Sequence, residues 1–162
     1  MKTIKIGENE YTLEFTFEAA EHKELVQAMF EMMSGAYFAK KGLAEEEEDK
    51  NKKVAMAAAM IDGASEMVAD VPRVCRIAFY AGLLENNPVK EDEARAFMKQ
   101  YMKENNLSFS KLFEDLKKCM EDDGFFDLSG IKDMIQQMNS AAQEKAEEIQ
   151  KTKAVKKSTS TK

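Results

Sequence analysis

The chain has 162 residues, 44% of them hydrophobic and 33% charged, with a formal net charge of −6, two cysteines, twelve methionines and no tryptophan. That length favours one domain large enough to bury a real core, and the composition excludes a disordered, fibrous or disulfide-stapled chain. No apolar run approaches the ~18 residues a membrane span needs, and MKTIKIGENEY contains no apolar secretory segment, so the cytoplasm is the expected compartment and no membrane partner is expected.

The first element reads as a β-hairpin over residues 1–17. Ile4 and Ile6 alternate with polar neighbours, GENE supplies a turn, and Tyr11, Leu13, Phe15 and Phe17 share one face of the second strand. A lone hairpin is marginal in water, so its apolar face must lie on helices or on another chain. Everything after it reads as helical, giving an α+β fold, mostly α, with the hairpin packed on a bundle of about six amphipathic helices.

Helix one is predicted from about Ala19 to Lys41. On a wheel of ~100° per residue its apolar side chains, Leu25, Val26, Ala28, Met29, Phe30, Met32, Met33, Ala36 and Tyr37, sweep roughly 200°, twice the arc that one neighbour covers. Phe38 falls outside even that arc. Helix one is therefore either buried on two sides or presents surface to a partner. Its flexible methionines suit irregular gaps and varied apolar clients alike.

Residues 42–50, with the run EEEED, read as a solvated loop. Helix two covers about Lys52 to Ala69, with Val54, Ala58, Ile61, Ser65 and Val68 in step and Gly63 weakening it. Pro72 suits the first turn of a third helix whose stripe is Val71, Val74, Cys75, Ala78, Phe79 and Leu83. NNP at 86–88 ends that helix. Helix four runs from about Lys90 to Glu104, with Ala94, Phe97, Met98, Tyr101 and Met102 inward. Ser108 is the N-cap of helix five, striped by Phe109, Leu112, Phe113, Leu116, Cys119 and Met120. Helix six starts near Leu128 or Ser129 and buries Ile131, Ile135, Met138 and Ala142. The domain spans 1–150, and a disordered basic tail follows at 151–162. That tail holds five lysines and no acid, which leaves −11 on the rest. An acidic body repels phosphates, so nucleic acid is not an expected partner.

No constellation carries catalysis. His22, the one histidine, falls on the polar side of helix one between Glu21 and Lys23. Cys75 and Cys119 sit on apolar stripes and behave as small hydrophobes. In EDDGFFDLSG the acids are adjacent and no closing Glu falls in register from Asp122, so a calcium loop is rejected. No phosphate-binding glycine motif or nucleophile elbow occurs. No metal, cofactor or enzymatic activity is expected.

Two segments nevertheless carry a likeness. IKIGENEYTLEFTF opens straight into a helix, and VCRIAFYAGLLENNPVKEDEARAFMKQYMKENN is followed by LSFSKLFEDLKKCMEDDGFF. Over residues 2–126 this pattern of apolar spacings and turns resembles the tail assembly chaperones of long-tailed phages and prophages of Gram-positive bacteria. The resemblance implies a non-enzymatic protein of the host cytoplasm. It would bind the helical tape-measure protein, keep it soluble until tail-tube subunits polymerise around it, and be absent from the virion. The tail-tube protein is a second implied partner, and a longer form made by ribosomal slippage near the lysine-rich end is implied as well. The candidate client-binding residues are Met29, Phe30, Met33, Tyr37, Phe38, Phe79, Tyr80 and Leu83. Two other readings stay open: a self-assembling structural subunit that pairs through the Ile4–Ile6 strand edge, and a Met-rich helical regulator that binds peptides.

Overall fold

The computed structural model describes residues 1–39 and 49–158. It is an α+β fold, mostly α, with a two-stranded antiparallel hairpin at one end and eight helices among the described residues. Strand β1 (Lys2–Ile6) pairs with β2 (Asn9–Leu13), with Ile4 opposite Tyr11. Alternation does what period-two patterning demands: Ile4, Ile6 and Leu13 are buried, and the Tyr11 ring packs on Phe97 at a tilt of 45° with centroids 4.7 Å apart. The second strand stops earlier than expected. Phe15 lies beyond it but is fully buried, while Phe17 begins a helix and is exposed rather than sharing the strand face.

The long first helix is in fact three pieces: α1 (Phe17–Glu21), α2 (Lys23–Ser34) and α3 (Ala36–Ala39). Two residues break it. His22 takes an extended ψ of 93° and caps α2, and Gly35 adopts φ +74°, a left-handed conformation that costs glycine little and ends α2. Much of the predicted loop at 42–50 lies outside the described residues.

The converse error occurs next. Predicted helices two and three are one continuous helix, α4 (Asp49–Leu84), 36 residues long with Pro72 inside it, or about 54 Å at 1.5 Å per residue. Its second half is the centre of the fold and packs against α1, α2, β2, α5 (Glu91–Glu104) and α6 (Phe109–Asp122). Val74, Cys75, Ala78, Phe79, Ala81 and Leu83 are all buried there. Gly82 lets the Phe15 ring lie against the helix backbone, since a Cβ at that position would stand 2.8 Å from Phe15 Cζ.

Helices α5 and α6 match their predicted limits closely. Glu91, Asp92 and Glu93 occupy the first turn of α5 and Lys103 its last, the arrangement the helix dipole favours. Ser108 Oγ accepts the Lys111 N–H and caps α6 as predicted. The α6 stripe is buried at Leu112, Leu116, Cys119 and Met120, but Phe109 at its start is exposed. A short α7 (Phe125–Leu128) then turns the chain into α8 (Ile131–Ser158). Ile131 is buried and Ile135 half-buried, whereas Met138 and Ala142, expected on the same buried face, are exposed. Helix α8 continues to Ser158, through the first part of the stretch expected to form a tail.

Two polar contacts lock the hairpin to the helices. Asp123, just past α6, accepts the Phe15 N–H at 2.9 Å with its side chain almost wholly buried. Glu104 on α5 accepts the Gly7 N–H of the hairpin turn at 3.1 Å. That bond and one from Gln100, the larger influence, hold the Glu104 carboxyl below its usual range.

Candidate functional site

The apolar arc of helix one divides cleanly. Leu25, Ala28 and Met29 are buried against α4, while Val26, Phe30 and Met33 turn toward the start of α8. Helix α2 is thus covered on one side by the core and only partly on the other. Two open grooves result, one on each flank of α8. The first, of about 370 Å³, is lined by Met33, Phe126 and Ile135, with Glu121, Asp127, Lys132 and Gln136 at its rim. The second, of about 390 Å³, is lined by Val26, Phe30, Ile131 and Met134, with Lys23 and Gln27 alongside. Their linings are mainly apolar, and methionine contributes to both, so the surface can adapt to side chains of differing shape.

The eight residues singled out from the sequence separate into three groups. Met29, Phe79 and Leu83 are fully buried and serve the core, because α4 rather than helix one is the central helix. Tyr37 is buried too, with its hydroxyl donating to Asp70 at 2.5 Å. Tyr80 is half-buried and meets the His22 ring edge-on, with centroids 5.6 Å apart. Met33 and Phe38 reach the surface, and Phe30, like Tyr80, does so in part; Met33 and Phe30 line the two grooves, and Phe38 lies instead against α4 at Gly63.

Sequence reasoning missed Met134, Ile135 and Phe126 as groove residues. The period of α8 did mark Ile135, but as core. Nothing local told a half-covered stripe from a covered one. It also misplaced His22. That side chain is half-buried, and its Nδ1 accepts the Leu25 N–H at 3.3 Å. Residues 17–24 carry no pattern that distinguishes a histidine cap from a helix interior.

A second exposed apolar surface lies on α4 between Met56 and Val68, where Met56, Met60, Ile61 and Val68 are exposed. Helix α3 sits beside this stretch, with Phe38 and Tyr37 packed on Gly63.

The two thiols are buried, and burial pushes Cys75 up to about 12 and raises Cys119 as well. The Cys75 S–H points at the Phe109 carbonyl at 3.4 Å. Among the described residues no cluster of three His, Cys, Asp or Glu is placed to hold a metal, and no helix is long and apolar enough to cross a membrane. No protein-family model matches the chain, and neither a curated protein nor a solved structure does.

Proposed function

We propose that this protein is an assembly chaperone that keeps a long helical client in solution, the client being the tape-measure protein of a long-tailed phage. The observation that carries the reading is the pair of apolar grooves flanking α8, with Phe30, Met33 and Met134 at their walls. The resemblance of residues 2–126 to tail assembly chaperones supplies the identity of the client. A client helix would lay its apolar stripe along α2 and α8 in the helix-in-groove manner. At ~25 cal/mol per Å² of apolar surface, a few hundred Å² per copy gives several kcal/mol before the cost of association. Affinity per copy is therefore modest, and many copies along one client do the work. The acidic body keeps the loaded complex dispersed. Tube polymerisation displaces the chaperone in the host cytoplasm, which leaves it out of the virion.

The strand-edge alternative has less to support it. The Thr12 N–H donates to Asn87 Oδ1 at 2.8 Å and the Glu14 N–H to the Gly82 carbonyl at 2.8 Å, so the outer edge of β2 is occupied from within and β1 is the edge such pairing would use. Ile4 and Ile6 face the core. A peptide-binding regulator would use the same grooves but would gain nothing from a client many helices long.

Co-expression with a tape-measure protein of a long-tailed phage tests the proposal. The client should move from the pellet to the soluble fraction with the wild-type chain and fall back with a Met33→Glu, Met134→Glu double variant. A client that stays insoluble beside the wild-type protein ends the chaperone reading.

A further inference from the structure

We propose that Met33 and Met134 are reversible oxidation sites, through which a peroxide switches the two grooves beside α8 from apolar to polar. The chemistry at the two sulfurs stands on their exposure; its effect on a client rests on the chaperone reading given above.

The methionines divide by position. Met29, Met98 and Met120 lie in the core, at 3% exposure or less. Met33 is 38% exposed on the wall of one groove, and Met134 is 52% exposed on the wall of the other. Met56 and Met60 are exposed too, but on α4 rather than at either groove. A thioether has no proton to lose, so its oxidation follows the access of the oxidant to sulfur. The groove methionines are therefore open to attack and the core methionines are shielded.

The two thiols do not compete for the oxidant. Both are buried, and burial holds both in the protonated form near neutrality. The thiolate is the form that a peroxide attacks.

In the oxidation, sulfur gives up two electrons. An S–O bond forms as the O–O bond of the peroxide breaks, and the second oxygen leaves as water, or as an alcohol from an organic peroxide. Methionine sulfoxide reductases reverse the step: a dithiol becomes a disulfide and the sulfoxide oxygen leaves as water. The side chain keeps its length but gains a strong acceptor. Phe126 and Ile135 share the wall with Met33, and Val26, Phe30 and Ile131 share it with Met134. None of these side chains offers a donor, and neither does the apolar stripe of a client. Covering the sulfoxide with a client thus strips it of water without replacing the hydrogen bond.

The test treats the full-length chain with hydrogen peroxide, quenches it with catalase and mixes it with tape-measure protein diluted from denaturant. Peptide mapping should find sulfoxide at Met33 and Met134 while Met29, Met98 and Met120 stay reduced, with an unchanged far-ultraviolet spectrum. The treated chain should hold its client about tenfold more weakly, and methionine sulfoxide reductases with a dithiol should restore the loss. A Met33→Leu, Met134→Leu double variant should hold as much client after treatment as before it, whatever its untreated level. A Met56→Leu, Met60→Leu double variant should stay as sensitive as the wild type. Three results overturn the proposal: Met29 oxidising as fast as Met134, a treated wild-type chain that holds its client undiminished, or a Met33→Leu, Met134→Leu chain that peroxide still disables. An untreated chain that holds no client ends the chaperone reading itself, and the switch with it.

Discussion

At Tyr37 a single hydroxyl ties two elements together. It donates to Asp70, which also accepts both Arg73 Nε and Arg73 Nη2 at 2.6 Å, and Arg73 reaches Glu31 at 3.7 Å. Burial, followed by the Asp70 carboxylate, pushes the Tyr37 phenol up to about 12. The folded value lies above the unfolded one of 10.0, so the stabilising contribution is complete below pH 10 and is lost as pH rises through 12. Tyr37→Phe should cost about 1 kcal/mol near neutrality. It should also flatten the alkaline decline of stability and remove the highest step from the tyrosine absorbance titration at 295 nm. Gly63 makes a second residue-scale test. In an open helix alanine is better than glycine by up to ~1 kcal/mol. Here the added Cβ would stand 2.8 Å from Phe38 Cδ1 and 2.8 Å from the Tyr37 carbonyl oxygen. Gly63→Ala should therefore lower stability by about 1–2 kcal/mol in thermal unfolding, and a gain would contradict the α3–α4 contact. From the sequence Gly63 read only as a weak point in a helix. Its role, like that of Asp123 beneath Phe15, depends on a segment distant along the chain, which no local pattern encodes.

Among the elements, those whose periodicity and caps agreed were legible: the hairpin, α5 and α6. The failures came where a breaker residue met tertiary packing. Pro72 marks a helix start in most contexts, yet α4 passes through it. The turn before Pro72 is held by Asp70 paired with Arg73, and the turn after it is held by Val74 and Cys75 in the core. Those contacts outweigh the proline penalty of ~3 kcal/mol in a helix interior. Pro72→Ala should then restore the bond to the Val68 carbonyl and raise stability by about 1–2 kcal/mol, with a small gain in helical dichroism. No gain is expected if Pro72 opens a separate helix, so a null result would count against a continuous α4. In the other direction, an unbroken apolar run concealed the two breaks at His22 and Gly35. Hydrophobic arc alone cannot tell one wide helix from two that change direction.

For the whole molecule, the wide arc of helix one posed the question of core against partner surface; one side of α2 is core, and the other is left partly open toward α8. Among the described residues, α4 exposes Met56, Met60, Ile61 and Val68 and α8 exposes Met134 and Met138, while α1, α2, α3, α6 and α7 each expose a single large apolar side chain. Substitutions there should leave the monomer intact. Met60→Lys and Met138→Lys are each expected to change unfolding stability by less than about 0.5 kcal/mol, whereas Met29→Ala, at a fully buried position, should cost about 2–5 kcal/mol. Denaturant titration separates the two classes. Amide hydrogen exchange with and without the co-purified client reads the central claim most directly. Holding a client helix between α2 and α8 predicts slowed exchange confined to residues 26–33 and 131–138, with the hairpin and α5 unchanged. Protection on the hairpin or α5 instead, or none anywhere while the client remains bound, would contradict the account.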